Sequence, residues 1–167
     1  MPRRLVIIPF AAVAAVLALP TGGVQADTTT PRVAAPVESP VRFVPPPPPP
    51  PTLAERAVKL ARTQLGVPYS YGGASPSGFD CSGLVMWVYG RLGVTLPHNA
   101  AALYDVGRPV SDARLRPGDL VFFSGLGHVG LYVGDGKMIH APQSGERVEI
   151  QALDARSNPP VGARRIA

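Results

Sequence analysis

Seven consecutive prolines, Pro45 to Pro51, constrain this chain more than any other feature. Each lacks a backbone N–H and holds φ near −65°, so the run can enter neither a helix interior nor a sheet ladder. It favours polyproline II, and at ~3.1 Å per residue makes a stiff spacer of roughly 20 Å. A docking role for an SH3-like partner is the alternative, but a spacer needs no partner. A fold-back of Val41-Arg42-Phe43-Val44 over a later cleft is the weaker third reading. Most of the 21 prolines lie before Thr52, so composition alone divides the 167 residues into a processed front and a folded back.

The front has three recognisable parts. Arg3 and Arg4 form a basic start, Leu5 to Leu19 an apolar run, and Val24-Gln25-Ala26 a small-residue cleavage pattern. Pro9 and Pro20 interrupt the run, which falls short of the ~20 residues needed to span a bilayer. Residues 1–26 therefore read as an export signal by the general route, with an uncleaved anchor or a twin-arginine signal as alternatives. After cleavage no stable membrane anchor is expected, and the expected location is secreted, in the cell wall or periplasm. Residues 27–51 read as linker, and 52–167 as one domain.

The formal charge is +5. Without the first 26 residues, 14 Lys and Arg face 11 Asp and Glu. That bias suits an anionic surface but is too weak to argue nucleic-acid binding. No basic cluster is interleaved with aromatics, so no nucleic-acid partner is expected.

The domain opens on a capping box, Thr52-Leu53-Ala54-Glu55. Leu53, Ala57, Val58, Ala61 and Leu65 follow at helical spacing, and Gly66 stops the helix. The stretch 67–79 has the Gly, Pro and Ser density of a loop. Asp80 is a good N-cap for a second helix carrying Leu84, Val85, Trp87, Val88 and Leu92, closed by Gly93. A third short helix is expected from about Asn99 to Val106. The period then changes to short apolar runs at 120–123, 128–133, 137–140 and 147–151, with a last strand at about 161–166. Gly134-Asp135-Gly136 marks a hairpin. Helices first and antiparallel strands after them make an α+β domain.

Cys81 is the only cysteine, so no internal disulfide can form. By count alone it is as well read as a small buried hydrophobe. Its position argues otherwise, because Asp80-Cys81-Ser82-Gly83 puts it in the first turn of the second helix. Free N–H groups and the positive end of the dipole face it there, a setting that favours thiolate. Of the three histidines, His128 opens one strand and His140 ends the next. A hairpin centred near Asp135 brings residues 130 and 140 level, so the two imidazoles can meet, one as base and the other orienting it. Taken singly, each histidine is only a strand end. His98 has no partner evident in sequence and is left at the surface or cleft edge. The spacings fit no zinc pattern, and neither metal nor cofactor is implied.

Pro68-Tyr69-Ser70-Tyr71-Gly72-Gly73 and Gly78-Phe79-Asp80-Cys81-Ser82-Gly83-Leu84-Val85 resemble the signature of the NlpC/P60 peptidases. Residues 116–123, 127–134 and 138–142 continue the resemblance in order, from Thr52 to about the end of the chain. It implies a papain-like α+β fold, with N-terminal helices packed on a small antiparallel sheet. The implied reaction is hydrolysis of an amide in the peptidoglycan stem peptide, usually γ-D-glutamyl to meso-diaminopimelate. The implied partners are peptidoglycan or muropeptide stem peptides, with the protein as a monomer. By residue, Cys81 matches the nucleophile, His128 the base and His140 the orienting third residue. Tyr69 matches a tyrosine serving substrate or oxyanion, and Asp80 and Ser82 positions beside the substrate's N-terminal side. His98 departs from an arginine common after Leu-Pro, leaving any substrate contact there unassigned. Two rivals stand beside this reading: a non-catalytic wall-binding module, and a cysteine amidase cutting the sugar–peptide junction.

Overall fold

The computed structural model describes residues 45–166. The export signal, its cleavage after Ala26, the first part of the linker and Val41–Val44 lie outside the described residues. Pro45 to Pro51 carry neither helix nor strand and are exposed.

Helix α1 (Leu53–Arg62) starts with the complete capping box. The Thr52 hydroxyl accepts from the Glu55 N–H at 3.2 Å, and the Glu55 carboxylate accepts from the Thr52 N–H at 2.7 Å. The helix ends at Arg62, and the chain passes through turns to Gly66, whose φ of +84° needs a glycine. The expected loop 67–79 contains a small antiparallel ladder, β1 (Ala74–Ser75) with β2 (Gly78–Phe79). A two-residue strand is too short to display alternation, so no period could announce it. Helix α2 (Cys81–Gly90) follows, capped by Asp80 as the sequence suggests, then α3 (Ala100–Tyr104), capped by Asn99.

Six strands then build an antiparallel sheet in the order β3-β8-β4-β5-β6-β7. They are β3 (Arg108–Val110), β4 (Leu120–Phe123), β5 (Val129–Gly134), β6 (Lys137–His140), β7 (Glu149–Ala152) and β8 (Pro160–Arg165). β3 is absent from the sequence expectation because Arg108-Pro109-Val110 offers no alternation, and pairing with β8 alone makes it a strand. Two bounds also shift inward: His128 lies just before β5, and β7 begins at Glu149.

All four residues of β4 are buried, as a strand covered on both faces requires. Leu120 and Phe122 face the main core with α1 and α2. Val121 and Phe123 join Met138 in a second cluster with Leu115, Tyr132 and Leu153. The β5–β6 turn is Asp135-Gly136, with φ of +52° and +66°. Positive φ at both central residues is what a two-residue hairpin matched to strand twist demands. It sets Leu131 opposite Ile139, so residues 130 and 140 are level.

Candidate active site

The site forms where the start of α2 meets the ends of β5 and β6. Asp80 organises it. Its Oδ1 accepts from the Gly83 N–H at 2.6 Å and from the Ser82 hydroxyl at 3.0 Å. Its Oδ2 accepts from the Gly72 N–H at 3.0 Å, and His98 Nε2 lies 2.9 Å away. Although burial works the other way, the Gly83 N–H, His98 and Ser82 hold this carboxyl below its ordinary range. His98 therefore has a partner, 18 residues distant, that sequence reasoning did not supply. Ser82 is itself buried, with its hydroxyl spent on Asp80.

Gly83 is required by close approach. A Cβ there would overlap the Gly73 carbonyl oxygen and stand 2.8 Å from His98 Nε2. The same Gly73 carbonyl accepts from the Asp80 N–H at 2.9 Å, which ties the loop before β1 to the helix start.

Cys81 is half-buried in the first turn of α2. Its thiol donates to the Gly127 carbonyl at 4.0 Å, and the Val129 N–H reaches back to the sulfur. Sulfur is thus held by the residues on both sides of His128. The expectation of a thiolate favoured by the helix start needs correction. Burial pushes the thiol up, the Val129 N–H pulls it down, and the Asp80 carboxylate pushes it up again; the N–H groups of Ser82 and Cys81 only partly offset this. The dipole's positive end is real, but the N-cap that terminates it is an anion next door to the sulfur.

His128 Nε2 and His140 Nδ1 are 2.8 Å apart, with the rings edge to face. Only one proton can sit between these nitrogens, so protonating both rings would oppose two donors. His128 is pulled down to about 4, by burial and then by Arg156. His140, wholly buried, is pulled down to about 3 by burial, then by His128 and Arg156. Both are neutral at pH 7. Nε2 of His128 is engaged by His140, which leaves Nδ1 as the other nitrogen of its ring.

A cleft of about 370 Å³ opens over the sulfur, lined among others by Tyr69, Tyr71, His98, Leu126 and Gly127. Tyr69, half-buried, is raised by burial and then by the sulfur. Tyr71 on the rim is 92% exposed, a residue that sequence reasoning noted only as part of a motif. Leu126 takes a left-handed φ of +53° at the cleft wall, a conformation a branched side chain adopts at a cost. Among the described residues no group of three His, Cys, Asp or Glu is arranged to hold a metal ion.

The model of the NlpC/P60 family matches residues 66–160. A probable endopeptidase of Mycobacterium tuberculosis is 49% identical over 109 residues, covering 65% of this chain and 28% of that protein. Peptidoglycan endopeptidase RipA of the same organism is 35% identical over 128 residues, covering 68% of this chain and 27% of that protein. This chain therefore spans little more than a quarter of the length of these relatives. Among solved structures, the NlpC/P60 domain of the peptidoglycan hydrolase SagA superimposes with a TM-score of 0.62 at 34% identity, covering 66% of this chain and 97% of that one. An NlpC/P60 family protein from Bacillus cereus gives 0.65 at 37% identity, covering 71% of this chain and 41% of that one. The α+β arrangement is the papain-like fold of these domains, and since the match takes in Cys81, His128 and His140, the chain belongs to the NlpC/P60 family.

Proposed function

We propose that this protein is a peptidoglycan endopeptidase that cuts the stem peptide by cysteine nucleophilic catalysis, at the bond from γ-D-glutamate to meso-diaminopimelate. The observation that carries the reading is the sulfur of Cys81, open to a cleft and held between Gly127 and Val129. The imidazole those two residues flank is hydrogen-bonded to a second one at 2.8 Å. Relatives named as endopeptidases, RipA among them, support the substrate class.

His128 Nδ1 takes the thiol proton as sulfur attacks the carbonyl carbon. The N–H groups of Cys81 and Ser82, already turned toward the sulfur, stabilise the tetrahedral oxyanion, with Tyr69 beside them. His128 then protonates the leaving amine, and the thioester is hydrolysed by a water that passes its proton to the same nitrogen. His140 holds the His128 ring in place. Asp80 shapes the helix start, and its acceptor sites are largely filled from within the protein. The protein works after export, in the wall or periplasm, where this substrate lies.

Incubation of the purified chain with defined muropeptides, followed by mass spectrometry of the products, tests the reading. Wild type should release fragments ending in γ-D-glutamate, and Cys81→Ala should release none. Equal products from both proteins would refute it.

A further inference from the structure

His140 carries a second nitrogen that the array so far does not use. Nε2 is wholly buried and has no hydrogen-bond partner among the described residues. β6 and β7 are in register with His140 opposite Glu149, and Glu149 Oε1 lies 3.7 Å from that nitrogen. This is slightly beyond a hydrogen bond. Glu149 is half exposed and free to swing the missing ångström inward. Beside it, a polar cavity of about 230 Å³ is lined by Gln143, Glu146, Glu149, Gln151 and Arg156. Gln151 Oε1 and Arg156 Nε are likewise buried without a partner among the described residues. Two of these orphaned residues line the cavity and the third faces Glu149 on its wall; each calls for a partner, and a cavity of this polarity and size accommodates a bridging water.

We infer that Glu149 is a positioning residue that completes the line Cys81–His128–His140–Glu149 by accepting, directly or through one water, the Nε2 proton of His140. The inference rests on the cysteine-hydrolase reading above. Its consequence is a choice of tautomer. Each neutral imidazole has one proton and two places to carry it. If His140 is protonated on Nε2, its Nδ1 is an acceptor, so His128 donates from Nε2 and keeps Nδ1 bare, as a base must. If the protons shift the other way, His140 Nδ1 donates to His128 Nε2, and His128 carries its proton on Nδ1, facing the thiol. That alternative also turns the lone pair of His140 Nε2 toward a carboxylate. Glu149 decides between the two patterns.

The charged and titratable groups around His140 are His128 before β5, Cys81 on α2, Glu149 on β7, Arg156 after β7, and Glu146 at the cavity rim. Arg156 packs over the Phe123 ring at 4.9 Å, and Phe123 in turn touches His128. Burial, with Arg156 adding to it, keeps the pair neutral while the carboxylate orients it.

Histidine ¹⁵N spectra of the full chain at pH 7 read the tautomers without any substrate. In wild type both rings should carry the proton on Nε2. In Glu149→Ala, His128 should move toward the Nδ1–H form, and kcat on a muropeptide should fall about tenfold with KM unchanged, the shift expected on replacing a charge-assisted hydrogen bond by water. Glu149→Gln keeps a carbonyl acceptor and should restore the wild-type ring pattern. Identical ring patterns in wild type and Glu149→Ala, or a wild-type His128 protonated on Nδ1, overturn the inference. A Cys81→Ala protein that still hydrolyses muropeptide sinks the cysteine reading instead, and leaves the ring spectra readable on their own terms.

Discussion

Lowering the pH from 6.5 to 4.5 loads protons onto the unfolded chain that the folded domain refuses. In the unfolded state His128 and His140 titrate near 6.5; in the fold they titrate at about 4 and about 3. Between these limits the unfolded state binds more protons than the native state, so stability rises with pH and falls with acid. The stabilisation is complete above 6.5 and is lost as pH drops toward 4. Each histidine contributes a slope approaching about 1.4 kcal/mol per pH unit, and both together a loss of about 4 kcal/mol over the two units. Against a typical stability of about 5–15 kcal/mol, this is large. Asp80, whose pKa is lowered from 3.8, acts below this window and does not confuse it. Urea titrations at half-unit pH steps measure the slope in wild type and in His128→Gln/His140→Gln. The double variant should lose most of the dependence between 6.5 and 4.5. An unchanged slope would mean that these rings take up protons freely in the fold, and the argument from burial would be wrong.

Gly83→Ala should destabilise by about 1–3 kcal/mol in urea unfolding, because the new methyl displaces the Gly73 carbonyl and with it the Asp80 cap; an unchanged urea midpoint with full activity would contradict that close approach. Asp119 is 1% exposed, accepts from Arg165 through both oxygens at 2.7 and 2.6 Å, and also from the Arg116 N–H at 2.7 Å. Asp119→Ala leaves a guanidinium without its partner and should cost about 3 kcal/mol or more, read as a drop in urea midpoint; a midpoint within error of wild type would show the pair to be ornamental.

What could be read from the residues was what depends on near neighbours. Thr52 and Glu55 are three apart, Asp80 precedes an apolar helix, and Asp135-Gly136 sets a hairpin register that carries His128 to His140. Each is a local rule whose outcome a single sequence can state. What could not be read depends on pairs joined only by the fold. Arg165 meets Asp119 across 46 positions, and His98 meets Asp80 across 18. Glu149 reaches His140 only because β7 adds to the edge of β6 in one register, and nothing in Arg147 to Gln151 declares that register. Strand β3 exists because β8 is there to pair with it. The thiol's direction was misjudged for a related reason: the helix start is local, but the burial that outweighs it is a property of the whole cleft.

That reversal bears on the chemistry. Burial pushes the Cys81 thiol above its ordinary range and pulls the His128 imidazole down to about 4, so both shifts oppose passing the proton from sulfur to nitrogen at rest. Both directions favour the neutral thiol and the neutral imidazole. In the proposed reaction the Cys81 sulfur is therefore not stored as thiolate, and its proton leaves as the carbonyl is attacked, when the N–H groups at the start of α2 can compensate the new charge. Alkylation of Cys81 by iodoacetamide in the free protein reports the resting state directly, since only thiolate reacts at an appreciable rate. Its rate should climb steadily from pH 7 to beyond 9. A plateau already reached below pH 8 would reveal a preformed thiolate, and the neutral resting pair would have to be abandoned.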